Sequence, residues 1–137
     1  MSGVDPSSTR MLPALDDMNR PFWTGGAHGR LMILRCVACR RWVHPPVRRC
    51  PACDGRLEPE PVSGRGSVFT FTVNHHPYNP AVPPPYVIAV VELVEQDDLR
   101  LPTNIVDCDP EQVGCGMPVQ VRFEHHGAVF VPVFAPA

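Results

Sequence analysis

From residue 67 onward, apolar and polar residues alternate with the period of two that marks half-buried strands. Over 67–74 the alternation places Phe69, Phe71 and Val73 on one face and Thr70, Thr72 and Asn74 on the other. Over 86–94 it places Val87, Ala89, Val91 and Leu93 together, with Glu92 interrupting the opposite face. A third strand is predicted over 100–107. A fourth, over 117–124, sets Val119, Val121 and Phe123 against Gln120, Arg122 and Glu124. A fifth spans 128–134, and its Pro132 predicts an edge, because proline has no N–H for a ladder. Between the third and fourth, Asp109-Pro110-Glu111 offers an N-cap, a helix-first proline and an early acid, predicting a helical turn. Five strands with a short helix after the third match a small OB-type Greek-key barrel. An open β-sandwich is the alternative.

The first half lacks that rhythm. Residues 12–23 suggest a short helical lead-in, broken at Arg20-Pro21. Phe22-Trp23 then stands beside the Gly25-Gly26 turn. The two rings either pack within the chain or form a docking surface, since aromatics are enriched at interface hot spots. Residues 29–36 (GRLMILRC) predict a strand and 40–49 (RRWVHPPVRR) a hairpin, with Trp42 covering the flanking cysteines from the side. Residues 54–66 (DGRLEPEPVSGRG) carry three glycines and two prolines and suggest a linker.

That hairpin lies inside the pattern Cys36-x2-Cys39-x10-Cys50-x2-Cys53. Two Cys-x2-Cys knuckles can set four thiolates tetrahedrally around one ion, a geometry and softness that suit Zn²⁺. With every position filled by Cys, such a site is structural, with no open coordination position for catalysis. His44, between the knuckles, is superfluous as a ligand. Disulfides and an iron site are the alternatives; Met1–Thr9 is small and polar with no hydrophobic segment, so an oxidising compartment is not indicated. The expected division is a disordered tail over 1–11, a helical lead-in over 12–29, a zinc ribbon over 30–60 and an OB-fold over 61–137.

Composition narrows the class. The 137 residues, 44% hydrophobic, suffice for one ordinary domain or two small units, and the 18 prolines are spread through loops. No internal repeat is visible. No apolar run approaches the roughly 20 residues of a membrane helix, and the expected compartment is the cytoplasm. All 12 basic residues are arginine. Residues 20–66 hold nine of them against three acids, whereas 67–137 hold two against eight. An anionic ligand should therefore approach the ribbon half.

A longer series of residues points to a family. Phe22-Trp23, a glycine before Leu31, the ribbon with Pro45-Pro46 and Cys50-Pro51, Gly64-x-Gly66-Ser67-Val68-x-x-Phe71-Thr72-Val73, Pro84-Pro85-Tyr86-Val87 and Asn104-Ile105-Val106-Asp107 occur in this order. The series, spanning about residues 12–135, resembles the family that joins a rubredoxin-like zinc ribbon to an acyl-CoA-associated OB-fold. One departure is Arg40, where many ribbons have glycine after the knuckle.

The resemblance implies an accessory subunit that stabilises a thiolase-like enzyme and helps form its CoA-ester channel. Partners in that family include thiolases, hydroxymethylglutaryl-CoA synthases and the lipid-transfer-protein-like aldolases of steroid side-chain breakdown. Some members are fused to a hotdog-fold enoyl-CoA hydratase. On this reading Phe22, Trp23, Tyr78 and Tyr86 are candidate partner contacts, and the expected assembly is a 2:2 heterotetramer binding acyl-CoA jointly. Arg40, Arg41, Arg48 and Arg49 are candidates for the CoA phosphates, which guanidinium groups grip bidentately.

Nothing in the sequence predicts catalysis by the chain alone. Cys108 and the turn residue Cys115 are the thiols outside the ribbon, and no matched His/Asp pattern accompanies either. In the pairs His75-His76 and His125-His126, neighbouring side chains on a strand face opposite ways, and solvent- or partner-facing histidines are the plain expectation. No phosphate loop, Rossmann fingerprint or nucleophile elbow is present. The competing function is nucleic-acid binding, which ribbons and OB barrels both perform. An acidic barrel opposes it, because that work needs a positive track along the groove.

Overall fold

Pro21 starts the first helix rather than breaking it. In the computed structural model, which describes residues 13–76 and 84–137, α1 spans Arg20–Thr24 with proline in its first turn. The N–H that proline lacks there would have no partner in any case. The lead-in before it is held by Asp16, whose carboxylate accepts from the Met18 and Asn19 amides. A 3-10 turn over Gly25–His28 follows and closes at Gly29, in the left-handed region. The expected tail and Tyr78 lie outside the described residues.

Two sheets follow. The first has the order β2-β1-β3, from β1 Leu31–Cys36, β2 Trp42–Val43 and β3 Leu57–Val62. The second is a closed barrel of β4 Arg65–Asn74, β5 Tyr86–Leu93, β6 Arg100–Ile105, β7 Pro118–His126 and β8 Val129–Pro136, in the order β4-β5-β6-β8-β7. That circuit, with a parallel β6–β8 closure, is the OB barrel rather than the open sandwich. The predicted turn forms as a 3-10 helix over Pro110–Gln112, and the Asp109 carboxylate accepts from the Glu111 amide.

Three further expectations are corrected. The linker contains β3, paired with β1 from Leu31↔Val62 to Cys36↔Leu57. Its Pro59 and Pro61 are tolerated because β3 is an edge strand. Phe69 does not share a face with Phe71 and Val73. A bulge between Val68 and Thr70 shifts the phase, so Val68 points into the core while Phe69 is 47% exposed under the Arg100 guanidinium. Trp42 does not cover the cysteines. It joins the main core with Phe22, Leu31 and Ile33, while Val43, on the opposite face of β2, packs with Cys36, Cys50 and Leu57.

β8 is not the edge that Pro132 predicts, since it lies between β6 and β7 in the closed barrel, but Pro132 falls beside its loosest seam. β8 pairs with β7 along its length but meets β6 at one register position, Ile105↔Phe134. The lead-in covers the outside of β8: Leu15 and Trp23 pack on Val129, Val131 and Val133. On the opposite face of β8, Gly26 lies so close to Phe130 and Phe123 that a Cβ there would overlap them.

Candidate metal centre and adjoining cleft

Each knuckle ends on a residue with positive φ: Arg40 at 67° after the first and Asp54 at 61° after the second. The hydrogen bonds repeat as well. Cys36 N–H donates to the Arg41 carbonyl as Cys50 N–H donates to that of Gly55, and the Arg40 and Asp54 amides donate back to the Cys36 and Cys50 carbonyls. The departure at Arg40 is thus accommodated in the left-handed turn that glycine would adopt freely.

The two knuckles bring the four thiols together. All four Sγ atoms lie within 4.8 Å of one another, with Cys36–Cys53 at 3.5 Å and Cys39–Cys50 at 3.7 Å. Thiolates at the corners of a tetrahedral zinc site stand ~3.8 Å apart, so the set fits a four-coordinate ion. Cys36 and Cys50 are buried; Cys39 and Cys53 face outward. The Cys39 and Ala38 amides donate to the Cys36 sulfur, and the Cys39 amide foremost pulls its thiol down to about 6. That favours a thiolate at Cys36, while the bond to Cys36 pushes the Cys53 thiol up to about 12, so the pair keeps its proton on Cys53. Gly55 is part of the fit, since a Cβ there would lie 2.7 Å from the Cys36 Sγ. His44 is outside the cluster.

The candidate arginines divide into two pairs. Arg40 is bound to Glu60, which also meets Arg35, and Arg41 is bound to Asp98. Arg48 and Arg49 are exposed, with no ion pair among the described residues. The Asp98 carboxyl is held below its ordinary value by Gln96 and then by Arg41. Gln96 also bonds to both backbone groups of Trp42, and Glu95 accepts from the Ser63 amide. The β5–β6 turn therefore fastens the ribbon to the barrel, a junction that no sequence signal announced.

Of the candidate partner residues, Phe22 is buried, edge-on to Trp23 and against the His44 ring, with both centroid distances at 4.8 Å. Trp23 and Tyr86 are half-buried, and the Tyr86 hydroxyl accepts from Asn74. Phe22, Trp23 and His44 line one side of a cleft of about 340 Å³, and Ile88, Thr103 and Val131 line the other. Burial lowers His44 to about 4, so its ring is neutral at pH 7.

Several of the other histidines and thiols have structural partners. His125 stacks on Phe130 and bonds to the Gly127 carbonyl, His126 meets Glu124, and Cys108 donates to the Asp109 carbonyl. No second metal-binding group appears among the described residues.

A four-thiol ribbon joined to a closed OB barrel defines a ribbon–barrel protein with a candidate metal centre. Two family models divide most of the chain between them: the rubredoxin-like zinc ribbon domain of ChsH2 matches residues 23–60, and the C-terminal OB-fold domain of ChsH2 matches 59–124. The chain belongs to this ChsH2 family. It resembles a chain of the solved Ltp2-ChsH2(DUF35) aldolase with a TM-score of 0.82 and 37% identity, covering 91% of this chain and 98% of that one.

Among curated relatives, a probable enoyl-CoA hydratase alpha subunit of Thermomonospora curvata is 39% identical over 96% of this chain and 41% of its own length. A 3-oxo-4,17-pregnadiene-20-carboxyl-CoA hydratase alpha subunit of Mycobacterium tuberculosis is 36% identical over 88% of this chain and 38% of its own. A DUF35 domain-containing scaffold protein of Methanocaldococcus jannaschii is 38% identical over 68% of this chain and 67% of its own. The chain thus spans less than half the length of either hydratase subunit. No helix among the described residues is long and apolar enough to cross a membrane.

Proposed function

We propose that this chain is a non-catalytic accessory subunit of a thiolase-superfamily enzyme, a thiolase or a lipid-transfer-protein-like aldolase, acting on acyl-CoA esters in the cytoplasm. It binds and stabilises that enzyme as a 2:2 heterotetramer and completes the wall of its CoA-ester site. The observation that carries this reading is the near full-length likeness to a chain of an aldolase assembly. The hydratase name of the Mycobacterium relative suggests a steroid or lipid side-chain ester as the substrate class.

In this reading Zn²⁺ fills the thiol cluster and holds the two knuckles together. Cys36, Cys39, Cys50 and Cys53 bind it as thiolates, and the ion supplies folding free energy to a ribbon too small for a full core of its own. Arg48 and Arg49 are free to meet the CoA phosphates, whereas Arg40 and Arg41 already hold carboxylates. Trp23 and Tyr86 are the candidate partner contacts within the described residues.

Affinity purification from the native host, with identification of co-purifying proteins, tests the assignment. A thiolase-like enzyme should be recovered, and the isolated chain should not turn over acyl-CoA esters. Recovery of nucleic acid instead, bound with a steep salt dependence, would replace this reading with the competing one.

A further inference from the structure

The cleft beside His44 has no part in the metal centre. Its volume of about 340 Å³ falls within the ~300–1,000 Å³ of small-molecule sites. Phe22, Trp23, Ile88 and Val131 give it an apolar lining, and no acid, lysine or arginine lines it among the described residues. Two of its polar side chains are already engaged: Thr103 donates to the Pro132 carbonyl and Asn104 to that of Val87. His44 differs. Its ring packs against Phe22, and its nitrogens make no hydrogen bond among the described residues. A neutral imidazole carries one donor and one acceptor.

These features select a ligand class. A charged group entering the cleft loses hydration and finds no opposite charge. A plain hydrocarbon fills the lining but leaves the imidazole unanswered. An uncharged molecule with a compact apolar body and one hydroxyl or carbonyl satisfies both walls. We propose that this cleft is a binding site for a small uncharged amphiphile, with His44 as its hydrogen-bond partner. The site belongs to this chain alone and does not depend on the accessory-subunit reading.

Three probes of similar body separate the possibilities: benzyl alcohol, toluene and benzoate, each titrated into the ¹⁵N-labelled full chain. Benzyl alcohol should give saturable shifts at Ile88, Thr103 and Val131 and at the His44 ring nitrogens. Toluene should bind about tenfold more weakly, the worth of one ordinary hydrogen bond, and benzoate should not saturate. His44→Phe should reduce benzyl alcohol to the level of toluene. Should that variant fail to fold, Ile88→Trp, made from an exposed position on the barrel wall, should fill the cleft and abolish binding of both uncharged probes. Absence of saturable shifts at these residues, equal binding of benzoate, or unchanged affinity in a folded His44→Phe or Ile88→Trp protein would overturn the proposal.

Discussion

The side-chain amide of Gln96 clasps the backbone of Trp42 at two points. Its oxygen accepts from the Trp42 N–H at 2.9 Å, and its nitrogen donates to the Trp42 carbonyl at 3.0 Å. Gln96 sits in the β5–β6 turn of the barrel and Trp42 in a ribbon strand too short to be held by its own ladder. Gln96→Leu removes both bonds and should destabilise the chain by about 2 kcal/mol, near 1 kcal/mol for each net bond. Denaturant unfolding of the metal-loaded protein measures this, and a cost below about 0.5 kcal/mol would show that water replaces the clasp.

The metal centre yields a separate expectation. The purified chain should carry one Zn²⁺, and Cys39→Ser should lose it and unfold the ribbon, because ligation supplies folding free energy. Elemental analysis decides the first point and amide exchange over Leu31–Val62 the second. Full metal retention in the variant would count against the four-cysteine assignment.

Acid should weaken the fold through His44. Its value falls from 6.5 to about 4 on folding because burial disfavours the charged ring. The folded state thus binds this proton more weakly than the unfolded chain does. The contribution is fully present above pH 6.5 and is lost as the pH falls towards 4, by about 3 kcal/mol in all. His44→Phe should flatten the stability profile in that window. An unchanged slope would mean that His44 is solvated and titrates normally.

The bulge in β4 predicts opposite outcomes for two neighbouring phenylalanines. Phe69→Ser, at an exposed position under Arg100, should cost less than about 1 kcal/mol. Phe71→Ser, at a position packed against the main core, should cost about 3 kcal/mol. Equal costs would indicate that both rings share the inner face, as simple alternation predicts.

That pair marks the limit of what the sequence revealed. Period-two patterning gave the five barrel strands and, along β5, the buried residues Val87, Ala89, Val91 and Leu93. It failed at Phe69 because one inserted residue reverses every later side chain, and no residue type announces the insertion. Proline and glycine in 54–66 concealed β3, since proline is compatible with an edge strand but resembles a loop residue out of context. The thiol cluster was legible because knuckle spacing is a local property. The cleft was not, because Trp23, His44, Ile88 and Val131 meet only through the tertiary fold.

Trp23 connects the fold to the proposed assembly. It packs on Phe22 and the outer face of β8 while staying half-buried. Trp23→Ala should weaken association with the enzyme by about 2 kcal/mol if the exposed part of the ring is a hot spot. Titration calorimetry on a folded variant measures the effect. Lower stability of the free chain with unaltered association would assign Trp23 to intrachain packing alone.

The most direct measurement is native mass spectrometry of the chain co-purified from its host. The expected species is a complex of two copies of this 15.1 kDa chain with two of a thiolase-superfamily enzyme, each small chain carrying one zinc. A chain that emerges alone, or with nucleic acid in place of an enzyme, would contradict that expectation.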